Sequence, residues 1–125
     1  MKTKILVVDD SGLARRLARK ILEELGYEVE DVSDGAQALE RYVLNRHDAV
    51  ILDLLMHGMY GVEVLEKLKE LNPALPVIIA TADIQRTTRE LVKAAGAVAM
   101  VNKPVVKEQL EEVLTIALAG GTVWN

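Results

Sequence analysis

Four short apolar runs along this 125-residue chain each end on a polar residue that can take part in chemistry. Continuous apolar runs of this length are typical of strands in a parallel sheet that is covered on both faces. Ligands of such sheets bind beyond the carboxyl ends of the strands. The sequence therefore predicts one crevice where these polar residues meet. The runs and the residues that follow them are 5–8 with Asp9 and Asp10, 49–52 with Asp53, 77–80 with Thr81, and 97–101 with Asn102 and Lys103.

Stretches of helical period separate the runs, which is the pattern of repeated strand–helix units. Apolar residues at every fourth position between 13 and 25 predict the first helix, with Ser11 as its N-cap and Gly26 as its end. The segment 84–95 has the weakest helical pattern, and the stripe within 110–118 has the clearest. We predict an α/β fold with five parallel strands, five helices and helices on both faces of the sheet.

Two helices in the middle of the chain have predicted buried faces. Asp34 and Gly35 open the first of them, and Asn72 with Pro73 ends the second. The residues that we expect to face inward are Ala38, Leu39, Tyr42 and Val43 in the first helix, and Leu65, Leu68 and Leu71 in the second.

Composition limits the class of protein. The net charge of −4 argues against non-specific nucleic-acid binding, and the lack of cysteine suits a reducing compartment. The apolar run after the first four residues is too short for a signal peptide, and no other run approaches the length of a membrane span. We predict a single cytoplasmic domain over 1–125, with a core at 4–118 and a short, poorly ordered tail at 119–125.

The three aspartates form a candidate metal site. Taken singly, each could be a helix cap or a solvated strand end, but capping needs only one acid, and Asp53 lies too far before the next helix to cap it. Three carboxylates about 4 Å apart would repel one another by several kcal/mol. A hard divalent cation relieves that repulsion, and a site with few carboxylates, water and phosphate favours Mg²⁺.

Two further strand ends complete the candidate site. Thr81 is followed by the small Ala82, which leaves room for a ligand. Lys103 precedes Pro104 and, opposite three aspartates, is a plausible counter-charge and phosphate anchor. Taken alone, the threonine would be an ordinary strand residue and the lysine a solvated strand end.

In this order and spacing, the motifs resemble those of the receiver domain of two-component response regulators. The resemblance covers residues 4–118 and implies a flavodoxin-like sheet with strand order 2-1-3-4-5, similar to a stand-alone chemotaxis regulator. The motifs that carry it are Val8-Asp9-Asp10, Asp53, Thr81-Ala82 and Lys103-Pro104.

The resemblance also implies a set of roles. Asp53 would take a phosphoryl group from a sensor histidine kinase, a histidine phosphotransfer protein or a small acyl phosphate. The chain would catalyse only its own phosphorylation and dephosphorylation. It would act on a downstream protein target, with no direct DNA binding and no membrane insertion. The implied roles are Mg²⁺ binding by Asp10, Asp53 and the Leu55 backbone carbonyl, Mg²⁺ contact through water by Asp9, phosphoryl binding by Lys103 and Thr81, and control of phosphoryl lifetime by Leu55 and Asp83.

Departures from the family pattern keep a second function open. The loop 56–61 lacks the usual proline and aspartate, which predicts a more mobile loop, and Met100 stands where the family has an aromatic switch residue. The alternative is therefore a receiver-like interaction module that is not phosphorylated. An aspartyl phosphatase is disfavoured because Leu55 occupies the place of its general acid.

Overall fold

The structure, a computed structural model, describes residues 2–56 and 60–124. Strands and helices alternate along them, as the sequence predicts. Within these ranges, none of the helices combines the length and the apolar composition that crossing a bilayer requires. The elements are β1 (Lys4–Val8), α1 (Gly12–Glu24), β2 (Glu28–Val32), α2 (Gly35–Asn45), β3 (Ala49–Leu52), α3 (Gly61–Leu71), β4 (Val77–Thr81), α4 (Arg86–Ala94), β5 (Ala99–Asn102) and α5 (Lys107–Leu118).

The five strands form one parallel sheet in the order β2-β1-β3-β4-β5, which confirms the predicted fold. Val8 of β1 lies opposite Leu52 of β3, and the Asp53 N–H continues the ladder by donating to the Val8 carbonyl at 2.9 Å. Asp9 and Asp53 consequently leave the sheet side by side. β2 lies on one side of β1, whereas β3, β4 and β5 follow on the other side. The order of the strands therefore reverses between β1 and β3, and this pair marks the crevice.

Alternate strand residues supply two apolar layers. Ile5 and Val7 of β1 pack with α1 and α5, whereas Leu6 and Val8 pack with α2, α3 and α4. β-Branched and leucine side chains fill both layers, which suits strands that are buried on both faces.

The predicted helix faces are correct in part. Tyr42 of α2 and Leu68 of α3 are buried, but Val43 is 48% exposed and Leu71 is 43% exposed, so those two predictions are wrong. Each helix contacts the sheet through a narrow stripe, and Leu71 is the last residue of its helix. Leu13, in the first turn of α1, is 74% exposed because it lies beside the crevice rather than over the sheet.

The tail prediction is wrong for residues 119–124. After α5, the Val123 N–H donates to the Val98 carbonyl at 2.8 Å, and Val123 forms a parallel bridge with Ala99. The Trp124 indole N–H donates to the Ala97 carbonyl at 3.1 Å. These contacts order the segment along the free edge of β5.

A polar cluster ties β2 to the end of α2. Glu30 accepts hydrogen bonds from Arg41 Nε at 2.6 Å and Asn45 Nδ2 at 2.9 Å, and its Oε1 lies 2.7 Å from Nε2 of the buried His47. Burial opposes the charge on Glu30, but the bonds from these three partners outweigh it and lower the pKa of Glu30. The ionised form is therefore the one that the fold stabilises.

Glu30→Gln should destabilise the protein at neutral pH by about 1–2 kcal/mol, since a charge-assisted cluster becomes a neutral one. A depressed carboxyl pKa adds stability above its unfolded value and loses it as the pH falls through the folded pKa. Denaturant unfolding across the acid range should thus show a weaker pH dependence in Glu30→Gln than in the exposed control Glu28→Gln. Identical pH profiles for the two variants would contradict the role of this cluster.

Candidate functional site

The carboxyl edge of the sheet brings the predicted acids together. Asp9 and Asp53 follow neighbouring strands and are 5% and 6% exposed, and Asp10 beside them is half-buried. Each of the three acids offers one carboxylate oxygen, and these atoms all lie within 4.8 Å of one another. An all-oxygen donor set of this size fits a hard divalent cation such as Mg²⁺.

Lys103, which follows β5, reaches across the sheet to two of these acids. Its Nζ lies 2.7 Å from Asp9 Oδ2 and 3.4 Å from Asp53 Oδ2. Burial lowers the pKa of Lys103, but the hydrogen bond to Asp9 and the charges of Asp53 and Asp9 outweigh it, so the pKa lies above its ordinary value. The ammonium group is therefore held in its charged form between the two carboxylates.

The surroundings of Asp53 oppose its charged form. Burial and then repulsion from Asp9 raise its pKa, while Lys103 and a hydrogen bond from the Leu55 N–H at 3.4 Å act in the opposite direction. The charged form of Asp53 is thus incompletely compensated by the protein. A positive charge that binds next to this carboxylate would stabilise its ionised form.

Thr81 is buried at the end of β4 and is linked to α4. The Asp83 N–H donates to Thr81 Oγ1 at 3.1 Å, and Thr88 Oγ1 of α4 donates to Asp83 Oδ2 at 2.8 Å. Asp83 Oδ1 also accepts from the Gln85 N–H at 3.1 Å. Both carboxylate oxygens of Asp83 therefore bind residues at the start of α4.

Arg15 holds the backbone of the acidic pair, a role that the sequence reasoning missed. Its Nη1 donates to the Asp9 carbonyl at 2.6 Å, and its Nε donates to Asp31 of β2 at 3.2 Å. Arg19 binds the other oxygen of Asp31 at 2.7 Å. Arg15 and Arg19 together thus fix α1 against the site.

Gly61, the first residue of α3, is a second residue that the sequence reasoning missed. Its N–H donates to the Leu54 carbonyl at 2.9 Å, and a Cβ at this position would overlap the Asp53 carbonyl oxygen and lie 2.6 Å from Leu54 Cα. Only glycine permits this close approach of two backbones.

An apolar pocket of about 370 Å³ opens beside the acids. Leu13, Leu17 and Val105 line it together with Asp53 and Lys103. The carboxylate of Asp53 is therefore next to an apolar surface that an incoming partner could cover.

The comparisons with known proteins agree with this geometry. The family model for the response regulator receiver domain matches residues 5–115. The chain belongs to this receiver domain family. It is therefore a receiver domain of two-component signalling, and the predicted resemblance is confirmed.

Two relatives contain the matching segment within longer proteins. The chain is 38% identical over 110 residues to the response regulator MprA of Mycobacterium sp. (strain KMS), a match that covers 88% of this chain and 48% of that protein. It is also 36% identical over 110 residues to the sensor protein EvgS of Escherichia coli (strain K12), covering 88% of this chain and 9% of that protein. The chain spans about half the length of the MprA relatives that it matches.

Solved receiver domains have the same fold. A CheY-like response regulator receiver domain protein from Methanospirillum hungatei JF-1 matches with a TM-score of 0.90 at 29% identity, covering 95% of both chains. The chemotaxis protein CheY4 of Vibrio cholerae matches with a TM-score of 0.88 at 31% identity, covering 92% of this chain and 98% of that one.

Two departures from the family pattern, at Tyr60 and Met100, lie within the described residues of this receiver domain. His57, Gly58 and Met59 are outside the described residues, so the predicted mobility of the loop stays a prediction. Tyr60 precedes α3 without a capping hydrogen bond from its side chain to any described residue. Met100 is half-buried and packs on the layer that contains α4.

Gly61→Ala should disturb the backbone at Asp53 of the receiver domain without changing any polar side chain of the site. The added methyl group must push α3 away from Asp53 and Leu54, which we expect to lower the free energy of unfolding by about 2 kcal/mol or more. Gly12→Ala is the matched control, because its Cβ would meet only the ends of arginine side chains. Equal stability of the two variants in urea would show that the close approach is not constraining.

Proposed function

We propose that this receiver domain accepts a phosphoryl group on Asp53 in a Mg²⁺-dependent reaction and signals by changing its binding to a partner protein. One observation carries the proposal: the buried carboxylate of Asp53 lies in contact with Lys103 and within 4.8 Å of ligand oxygens from Asp9 and Asp10. A nucleophile, a counter-charge and a cation-binding set are the three parts that phosphoryl transfer to a carboxylate needs.

In this proposal, an Asp53 carboxylate oxygen attacks the phosphorus atom of the donor. A bond forms between that oxygen and phosphorus, the bond from phosphorus to the donor breaks, and the donor leaves with the electron pair. The product is an acyl phosphate on Asp53. Lys103, held by Asp9, neutralises charge on the phosphoryl oxygens as the group arrives.

Thr81 is suited to bind the transferred group. Its hydroxyl oxygen accepts the N–H of Asp83, so the hydroxyl proton can be donated to a phosphoryl oxygen. Asp83 lies two residues further and, with Leu55, is proposed to set the lifetime of the acyl phosphate. In this scheme the chain catalyses only its own phosphorylation and dephosphorylation.

The proposed metal ligands surround one side of Asp53. Asp10 and Leu55 line a common cleft with Met56 and Tyr60, which favours the Leu55 carbonyl as a ligand beside Asp10 and Asp53. Asp9, already bound to Lys103, would contact the metal through water. When bound, Mg²⁺ would neutralise charge on the phosphoryl oxygens and relieve the repulsion among the carboxylates.

The proposed phosphodonor is the phosphohistidine of a sensor histidine kinase or a histidine phosphotransfer protein. The apolar pocket beside Asp53, with the exposed Leu13 at its rim, supports a protein donor, because a bare phosphate compound would not need an apolar surface. The proposed output is a protein target rather than DNA, in a cytoplasmic setting.

The test uses the purified protein with a small acyl phosphate. Intact mass should increase by one phosphoryl group in the presence of Mg²⁺, and a chelator should prevent the increase. Hydroxylamine should remove the group, as expected of an acyl phosphate. Absence of any mass increase would favour the alternative, an interaction module that is not phosphorylated.

A further inference from the structure

Two glycines turn the chain back toward the sheet after α5. The Gly120 N–H donates to the Ala117 carbonyl at 3.0 Å and the Gly121 N–H donates to the Ile116 carbonyl at 2.9 Å. Gly120 has a φ of 91°, which is the left-handed conformation that ends a helix in this way. The direction of the following residues is thus specified by the helix end.

The next residues behave as the start of a sixth strand. Val123 bridges Ala99 and packs on the layer of α1 and α5, whereas Trp124 packs on the layer of α4. Opposite faces for successive side chains are the property of an extended strand. Residues 121–124, hereafter the strap, therefore continue the sheet beyond β5.

Trp124 fills the groove between α4 and β5. Its indole N–H binds the Ala97 carbonyl, while Arg89 Cζ and Lys93 Nζ of α4 lie 5.3 and 5.9 Å from the centre of an indole ring. Cations over a tryptophan ring attract it. Trp124 and Met100 pack on the same apolar layer, so the strap brings an aromatic ring to the face where the receiver sequence lacks one.

The same helix is also bonded to the candidate phosphoryl site, through a residue of its first turn. Thr81 binds Asp83, and Asp83 binds Thr88, which is adjacent in sequence to Arg89. Within α4, Val92 is the one fully buried residue, so the contacts of Thr88, Arg89 and Lys93 contribute much of what holds the helix. Elements with little buried surface are the ones that move at low cost.

We propose that the groove between α4 and β5 is a binding site for the strap, and that phosphorylation of Asp53 weakens this binding through Thr81, Asp83 and Thr88. The inference rests on the proposed function. A phosphoryl group that draws the Thr81 hydroxyl toward itself must change its bond to Asp83, and through Thr88 the position of α4. Arg89 and Lys93 move with α4, so their contacts with the Trp124 ring change.

Thermodynamic linkage makes the coupling reciprocal. If phosphorylation loosens the strap, loss of the strap must favour the phosphorylated state by the same factor. Trp124→Ala should therefore increase the affinity for beryllofluoride, a phosphoryl mimic, by about fivefold, the lower end of typical couplings. Leu44→Ala removes an exposed apolar residue on α2 and should leave the affinity unchanged.

Fluorescence gives a direct readout, because Trp124 is the one tryptophan of the chain. Addition of beryllofluoride and Mg²⁺ should change the emission of Trp124 and increase its quenching by acrylamide. Thr88→Val breaks the bond to Asp83 outside the phosphoryl site. This variant should still gain a phosphoryl group by mass, but its tryptophan signal should no longer respond.

Hydrogen exchange tests the strap without phosphorylation. In Trp124→Ala, amides of Arg86–Ala94 should exchange faster, with those of α1 unchanged. Unchanged exchange in α4 would overturn the proposal that the strap holds this helix in place.

The outcomes separate the two proposals. A phosphorylated protein with an unresponsive Trp124 overturns the coupling and leaves the proposed function in place. A protein that takes no phosphoryl group and no beryllofluoride overturns the proposed function and the coupling together, and hydrogen exchange then decides whether the strap still clamps α4.

Discussion

Asp53→Asn is expected to give a folded protein that takes up no phosphoryl group from a small acyl phosphate. The amide has nearly the shape of the carboxylate but lacks the charged oxygen that attacks phosphorus. The variant should be at least as stable as the wild type at neutral pH. A raised pKa means that ionised Asp53 lowers the stability of the fold above its unfolded pKa, and the amide removes that cost.

Intact mass and thermal unfolding check both halves of this prediction. Asp34→Asn is the matched control, because Asp34 caps α2 and asparagine caps a helix about as well. The control should be phosphorylated like the wild type. A phosphoryl group on Asp53→Asn would exclude Asp53 as the acceptor, and its position in a peptide digest would identify the true one.

Lys103→Met should slow phosphorylation by about 10² or more, since one preorganised charge that meets the transferring group is lost. It should also destabilise the protein by about 3 kcal/mol without Mg²⁺, because Asp9 and Asp53 are left as buried, unpaired charges. Added Mg²⁺ should restore part of the stability, since a cation that binds the folded state replaces the missing charge.

Lys107→Met is the control for this prediction. Lys107 is half-exposed and pairs with Glu24 at 3.4 Å, so its loss should change the free energy of unfolding by less than about 1 kcal/mol. Denaturant unfolding with and without Mg²⁺, together with the rate of mass increase, measures both effects. Similar behaviour of the two lysine variants would argue that Lys103 is an ordinary strand-end residue.

The fold was predictable because its signals are local and strong. Four strands are continuous apolar runs, and the helices between them have clear ends at Gly26 and Gly96. The Ser11 cap, predicted from sequence, accepts the Ala14 N–H in the structure. The strand order itself came from the resemblance, since periodicity does not state which strands are neighbours.

The errors have a common physical cause. The predictions for Val43, Leu71 and the residues after α5 depend on composition and helical period. These signals do not report how wide a helix contact is or whether a free sheet edge is nearby. One bridge at Val123 and one indole hydrogen bond at Trp124 order the last segment. Neither leaves a periodic signal.

By itself, the sequence determined which residues could do chemistry: three aspartates, a threonine and a lysine, each placed where an apolar strand ends. The reason is that the length and the burial of a strand depend on residues that are neighbours in the sequence. Only the tertiary structure decided that Lys103 binds Asp9 more closely than Asp53, that Gly61 must approach Asp53, and that Trp124 lies on α4. These are contacts between residues distant in the chain, and packing alone sets them.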